Sequence, residues 1–526
     1  MAMSINVFVV LVVFSTTFFT AVSRESESPG DIDLWCEKTP HPQPCKYFMG
    51  HSRYHFAPRY RSDFRRMAVQ VAIDRVLSAQ RHAQHFGRNI ENKRQKAAWS
   101  DCLKLYQDTI CQLNRTLQGL VTNVRSCTDF DAQTWLSTAL TNLETCRAGS
   151  LDLNVSESMT PIMSNNASEL ISNSLAINGV ILGEESNNNT DGFPSWVSKP
   201  ERKLLQSSSI KADLVVAKDG SGHYQTVQSA INAAARRRGS RRFIIHVKRG
   251  VYRENIEVGI NNNNIMLFGD GLRYTIITSG RSVGGGYTTY SSATAGIDGL
   301  YFIARGITFR NTAGPRKGQA VALRSASDLS VFYRCAIDGY QDTLMVHSQR
   351  QFYRECYILG TVDFIFGNAA VVFQNCIIYV RRPLKGQVNV ITAQGRNDPY
   401  QNTGISIHNS QVRAEPDLKP VVRAFKTYLG RPWMQYSRTA FLKTYIDNLV
   451  SPVGWLAWEK SNFALSTLYY AEYQNFGPGS STRRRVRWPG FHHITSPNDA
   501  SRFTVGSLIA GRSWLPATGV PFTTGL

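Results

Sequence analysis

A repeat constrains this chain more than any other feature of its sequence. The runs FYRCAIDG, FYRECYILG and FQNCIIYV place Cys335, Cys356 and Cys376 at intervals of 21 and 20 residues. Similar short β-branched and aromatic runs recur over residues 243–247, 265–268, 301–309, 330–337, 351–358 and 371–380, with Gly, Asn and Asp between them. A single unit of this size cannot bury its apolar face alone, but stacked units can, and the outcome is a parallel β-helix. A β-sandwich would show tight two-residue turn signals between its runs, and these runs do not. Equivalent positions on neighbouring coils then lie one strand spacing apart, about 4.8 Å. That spacing suits a disulfide between coils, and three stacked cysteines can make only one.

The same period sets Asp342, in GYQDTL, 21 residues before Asp363, in GTVDFIFG. Two carboxylates on adjacent coils cannot both ionise easily. One pKa rises and the other falls, which separates an acid from a nucleophile or base. Asp363 lies among apolar Val362, Phe364, Ile365 and Phe366, an unusual setting for a turn residue.

The first half has a different grammar. Residues 64–83, 93–124 and 131–146 carry apolar side chains at three- and four-residue intervals with few Gly or Pro, the pattern of amphipathic helices in a bundle. A chain of 526 residues exceeds one hydrophobic core, so two domains are expected. Cys36 and Cys45 bracket a Pro-rich hairpin and can close locally, whereas spacing leaves Cys102, Cys111, Cys127 and Cys146 unassigned. Residues 183–209 form a polar, Asn- and Ser-rich linker containing Arg202-Lys203-Leu204-Leu205, a dibasic site for a processing protease. The apolar run 5–22 reads as a secretory signal peptide, residues 1–23, and no later stretch reads as a membrane span. Nine cysteines and sequons at Asn114, Asn154, Asn166 and Asn188 fit a secreted glycoprotein. Between residues 206 and 526 there are 38 Lys and Arg against 18 Asp and Glu, so nearly all of the net +21 lies there. For a secreted chain such a field fits an acidic polysaccharide better than nucleic acid.

Six blocks in order now carry a resemblance: GYTTYSSAT (286–294), NTAGPRKGQAVALR (311–324), GYQDTL (339–344), RQFYREC (350–356), GTVDFIFG (360–367) and YLGRPW (428–433). Together with the ending WLPATGVPF (514–522) they resemble plant pectinesterases, also called pectin methylesterases. SDCLKLYQDT (100–109) and TWLSTALTNLETC (134–146) resemble the pectinesterase-inhibitor domain. The resemblance implies an N-terminal all-α four-helix bundle over 30–182 and a C-terminal catalytic right-handed parallel β-helix over 210–526. It implies hydrolysis of galacturonate methyl esters in homogalacturonan by a monomer in the plant cell wall, with no cofactor or metal. The partner it implies is an inhibitor domain, in the same chain or separate. By the same resemblance Asp363 is the nucleophile and Asp342 the general acid and base. Gln341 and Gln319 stabilise the oxyanion, Arg431 holds Asp363 ionised, and Trp433 and Thr289 line sugar subsites. It also implies disulfides Cys36–Cys45, Cys102–Cys146 and Cys356–Cys376, with Cys335 a buried thiol. Tyr287 and Gly296 depart from the common pattern, Trp being frequent at the first and an aromatic at the second, and both bear on subsite preference.

Three rivals make distinct demands. Gly280-Arg-Ser282-Val-Gly284 fits the G-x-S-x-G motif of serine esterases, but GGYTTYSS after it offers no helix. A chain-cleaving pectinase would need calcium-binding acids or acids set about a glycosidic bond. A non-enzymatic inhibitor or wall-binding protein with an inactive β-helix would have no use for Asp342, Asp363, Gln341 and Arg431 together.

Overall fold

The computed structural model describes residues 32–54, 57–121, 127–179, 210–237, 239 and 241–526. The signal peptide, the linker with Arg202–Leu205, and Asn188 lie outside the described residues.

Seven helices form the first unit: α1 (Ile32–Glu37), α2 (Pro42–Gly50), α3 (Arg61–Phe86), α4 (Lys93–Val121), α5 (Asp129–Asp152), α6 (Ser156–Met163) and α7 (Ala167–Asn178). The long helices α3, α4, α5 and α7 make the bundle, and α1, α2 and α6 close its ends. Helix α5 opens on a reciprocal cap. Thr128 Oγ1 accepts from Asp131 N, and the Asp131 carboxylate accepts from Thr128 N. Its burial is not one-sided: Gln133, Thr134, Ser137, Thr138, Thr141 and Thr145 are all buried along with its apolar residues. A helix hidden on nearly every face must pack against something besides its own bundle. Disulfides join Cys36 to Cys45 and Cys102 to Cys146, whereas Cys111 and Cys127 are free. Asn114 and Asn154 are exposed, and Asn166 is half-buried with Nδ2 donating to Glu169.

The second unit is a right-handed parallel β-helix of three sheets, here A, B and C, with eleven, eight and seven strands. A central coil gives one strand to each sheet. Ser330–Tyr333, Ala336–Asp338 and Leu344–Val346 make one coil, and Arg350–Arg354, Tyr357–Gly360 and Ile365–Gly367 the next. Val331 pairs with Phe352, which fixes the 21-residue step, and Tyr353 pairs with Phe373, which fixes the 20-residue step. Runs that read as single strands in the sequence bend at the A-to-B corner. Arg334, Glu355, Asn375, Asn409, Lys443 and Gln474 stand there with φ of 47–56°. Left-handed backbone costs non-glycine residues about 1–2 kcal/mol each, so the stacked coils on either side must hold the bend. Cys335, Cys356, Cys376, Ser410 and Thr444 follow these corners and turn inward, fully buried.

That corner corrects one expectation. Cys356 and Cys376 are thiols, not a bridge. Cys356 Sγ donates to Phe332 O at 3.2 Å and Cys376 Sγ to Tyr353 O at 3.5 Å, so each sulfur is engaged by a main-chain oxygen of the preceding coil. Inside the helix Phe332, Tyr353 and Phe373 stack with centroids 4.6 and 4.7 Å apart. Such pairs contribute about 0.5–1.5 kcal/mol beyond their burial.

The sheets' outer faces differ. Sheet A is covered by the C-terminal segment, where Val505, Leu508, Trp514 and Leu515 pack on Val331, Phe352 and Val372. Sheet C is covered by the helical bundle, whose core is continuous with Met345, Phe366 and Ala393. Phe332→Ala is expected to lower stability by about 3–5 kcal/mol through loss of a buried aromatic, measured as a lower urea midpoint of the uncut chain.

Candidate active site

Sheet C carries the chemistry because its strands begin where the coil turns toward the bundle. Leu344 pairs with Ile365, so Asp342 and Asp363, each two residues earlier, occupy equivalent turn positions. Asp342 N donates to Val362 O at 3.0 Å and locks the turns together. Both aspartates have left-handed backbone, with φ of 59° and 49°, and both are about nine-tenths buried. Strain of this kind persists only where surrounding structure over-determines it.

The charges are unequal. Arg431 Nε lies 2.9 Å from Asp363 Oδ1, and Arg431 Nη2 lies 2.5 Å from Oδ2, a bidentate pair. The guanidinium also stacks 4.4 Å from the Trp458 ring. Burial lifts the pKa of Asp363, and Arg431 works against that rise. Asp342 is lifted well above the usual carboxylate range by burial, then by the charges of Asp363 and Asp152. A proton shared by the pair therefore resides on Asp342.

One cavity of about 220 Å³ is lined by Thr289, Gln319, Gln341, Asp342, Asp363, Arg431 and Trp433, bringing together the catalytic and sugar-subsite residues expected from the sequence. Tyr290, Met345, Phe366, Ala393 and Trp458 also line it, and the sequence reading missed them. Trp433 meets Phe366 edge-on at 5.9 Å. Residues of sheet C's outer row were legible only from period-2 alternation within three-residue strands, which is too short a signal.

The sequence also gave no sign that the roof of this cavity is helix α5. Thr145, Ala148, Gly149 and Asp152 line it from above. Asp152 accepts from Thr289 N at 2.8 Å, and Thr145 Oγ1 lies 2.8 Å from His347 Nε2. Burial pushes His347 down to about 3, so its ring is neutral. From α4, Asp101 accepts from Thr288, and Lys104 donates to Asp298 and Tyr290, each at 2.7 Å. At the far end Arg350 reaches Asp131 at 2.7 Å, and Ser172 of α7 donates to Asp398 at 2.5 Å. Ser282 is buried, and its hydroxyl accepts from Gly285 N at the start of a short 3₁₀ turn. It is a capping residue, not an exposed nucleophile.

Paired buried carboxyls of unlike proton affinity, one held by arginine beside amide side chains, define an ester hydrolase of the β-helix class. Residues 213–512 match the pectinesterase family and residues 30–177 match the plant invertase/pectin methylesterase inhibitor family. The chain is 65% identical over 505 residues to probable pectinesterase/pectinesterase inhibitor 60 of Arabidopsis thaliana, covering 94% of this chain and 93% of that one. It is 55% identical to pectinesterase 2 of Citrus sinensis over 526 residues, all of both chains. Among solved structures, the carrot pectin methylesterase superposes with a TM-score of 0.60 at 56% identity, covering 61% of this chain and 100% of that one. The Aspergillus niger enzyme gives 0.51 at 28%, covering 59% and 96%. The chain belongs to the pectinesterase family and carries an N-terminal inhibitor-type domain.

Arg431→Gln tests the charge assignment. Without the guanidinium the Asp363 pKa rises, so the carboxylate form is lost at higher pH than in the wild type. The acid limb of kcat/KM is expected to move up by about one to three pH units, the usual effect of an adjacent opposite charge. An unmoved limb would assign Arg431 to packing alone.

Proposed function

We propose that Asp363 and Asp342 divide the work of a two-step ester hydrolysis. The bidentate Arg431–Asp363 pair, one coil from a carboxyl that keeps its proton, carries this reading. The chain is a pectinesterase: it hydrolyses galacturonate methyl esters of homogalacturonan, releasing methanol and leaving carboxylates. An Asp363 oxygen attacks the C6 carbonyl carbon, and the carbonyl electrons move to oxygen, where the Gln341 and Gln319 amides stabilise the charge. As the tetrahedral species collapses, the C6–OCH₃ bond breaks and the Asp342 proton passes to the departing methoxyl. Asp342, now ionised, takes a proton from water. The hydroxyl adds to C6, and Asp363 leaves as a carboxylate held by Arg431. Trp433 offers a ring face for a pyranose, and Thr289 offers its main-chain N–H.

Asp363→Asn is expected to reduce methanol release by at least about 10³-fold, as loss of a nucleophile does, with unchanged melting. Asp342→Asn should slow both steps. A fully active Asp363→Asn enzyme would exclude the mechanism.

The second part of the proposal concerns the roof. Helix α5 stands where the polymer must lie, and its Asp152 takes the Thr289 N–H. The uncut chain is therefore inactive, cleavage near Arg202–Leu205 precedes activity, and the mature enzyme is a secreted, monomeric wall protein. A Cβ added at Gly149 would sit 3.2 Å from Thr288 Cγ2, so α5 approaches the groove wall at a point where glycine leaves room. Gly149→Leu should loosen the roof and give the uncut chain measurable methanol release.

Docking should also depend on pH. Burial at the interface lifts Asp101, Asp152 and Asp398 above the ordinary carboxylate range. For Asp131 burial pushes upward, but Arg350 and the cap bonds outweigh it and leave the group low. Groups raised in the docked state favour docking when protonated. Their contribution is full below about pH 4, the free-carboxyl value, and is lost as pH rises through their raised values. Release of the cleaved bundle is expected to increase as pH rises above about 4, read by gel filtration at a series of pH values. Equal retention across the series would show that Asp131 and the ion pairs dominate.

A further inference from the structure

Of the three faces of the β-helix, sheet B alone has an outer surface that the described helices and C-terminal segment leave open. Its outward side chains form two rows along the coil axis. In one, Tyr357 aligns with Ile377, Gln411, Tyr445 and then Phe476. In the other, Arg310 aligns with Asp338, Leu359, Tyr379 and Arg413.

The rows interlock as rings and guanidinium groups. Tyr357 and Tyr379 are nearly parallel, 6° apart, with centroids 6.3 Å apart. Arg413 lies 4.6 Å from the Tyr445 ring, and Tyr445 meets Phe476 at 5.7 Å. Phe476 is 55% exposed, a high figure for phenylalanine, and the three tyrosines are half-buried. Four coil steps of about 4.8 Å make this stripe about 19 Å long. Shallow depressions flank it. One, of about 310 Å³, is lined by Asn409, Arg413, Tyr445 and Phe476; the other, of about 490 Å³, by Arg253, Thr278 and Arg310.

The charge on this face is positive. Arg253, Arg310, Arg381 and Arg413 face Asp338 and Glu254, with Asp447 at the edge; the Glu254 carboxylate accepts from the main-chain N–H groups of Val227 and Gln228. Asp338 is held between Arg310 at 2.6 Å and Arg381 at 2.9 Å, so its charge is already matched. Arg253 is exposed. Arg413 gives Nε to Gln411 and keeps its outer nitrogens for a partner.

We propose that the outer face of sheet B is a second polygalacturonate-binding surface, separate from the catalytic groove and open while α5 is docked. The C–H faces of pyranose rings stack on flat aromatic groups, and planar guanidinium groups bind carboxylates in two-point fashion. A stripe that sets Arg413 between the ring pairs Tyr357–Tyr379 and Tyr445–Phe476 suits a polymer carrying both sugar rings and carboxylates, the form the enzyme's own reaction produces. The surface gives the enzyme a hold on de-esterified stretches while the groove works on methylated ones.

The uncut chain isolates this surface, because its groove is covered. Full-length protein would be titrated with polygalacturonate, which bears no ester, by affinity electrophoresis and calorimetry. Binding is expected, with none to neutral galactan. The triple variant Tyr357→Ser, Tyr379→Ser, Arg413→Gln should bind at least about tenfold more weakly at unchanged melting temperature. The pair Arg253→Gln, Arg413→Gln, which removes no ring, should weaken binding severalfold even where the triple variant folds poorly. After cleavage, both variants should release methanol from a short methylated oligogalacturonide at the wild-type rate. That control keeps failure of the surface distinct from failure of the esterase mechanism. Absence of binding by the uncut wild type, or variant affinities within twofold of it, would overturn the proposal.

Discussion

Coil-to-coil register is the constraint on which everything else in the β-helix rests. Leu344 opposite Ile365 is one pairing among many, yet it decides that Asp342 and Asp363 emerge from equivalent turns on neighbouring coils. A one-residue slip would reverse every side chain in a strand between core and surface. It would carry Met345 and Phe366 inward and tear the aromatic stack of Phe332, Tyr353 and Phe373. The stack inside sheet A and the outer row of sheet C therefore guard the same coil-to-coil register from two different sheets. The left-handed φ values at both aspartates are tolerable because neither turn can relax without breaking the ladder beside it.

Register brings the carboxyls together; arginine makes them different. By symmetry of position the two aspartates would compete for one proton on equal terms. Arg431 breaks that symmetry by binding Asp363 through two nitrogens, and Trp458 beneath the guanidinium limits its motion. Asp152 acts in the opposite direction on Asp342, adding a third negative charge from the bundle. The docked bundle thus alters the proton balance of the site as well as covering it.

Much of this was legible in the sequence, and the reasons differ by residue. The 21-residue step between Cys335 and Cys356 announced the coil, and the same step from Asp342 to Asp363 announced the pair, because a solenoid converts sequence period directly into spatial neighbourhood. The corners were not legible. Arg334, Glu355 and Asn375 share a backbone conformation but no side-chain chemistry, so runs such as 330–337 read as continuous strands. The bridge Cys356–Cys376 came from the family resemblance, not from the spacing; stacking at about 4.8 Å permits a bridge without requiring one, and the carbonyls of Phe332 and Tyr353 engage the sulfurs instead. Hardest of all was the docking of α5. Its row of Ser, Thr and Gln residues looks like an exposed face until Asn368, Gln401 and Asn402 are seen to meet it.

The polar character of that interface bears on how such a roof can be both firm and removable. An apolar helix face would hold tightly but would leave the separated groove with exposed hydrophobic surface. Hydroxyl and amide contacts leave each side hydratable after release, so their net stabilisation is modest, about 0.5–1.5 kcal/mol apiece. On the proposed cleavage, these contacts lose the high effective concentration that the tether gives them. On the proposed roles, Asp152 and the polymer compete for the same Thr289 N–H, so each weakens the other's binding by the same factor. Cleavage of the linker removes the concentration advantage without touching a single contact. The uncut chain and the cut chain then differ not in the structure of the groove but in which competitor the equilibrium favours.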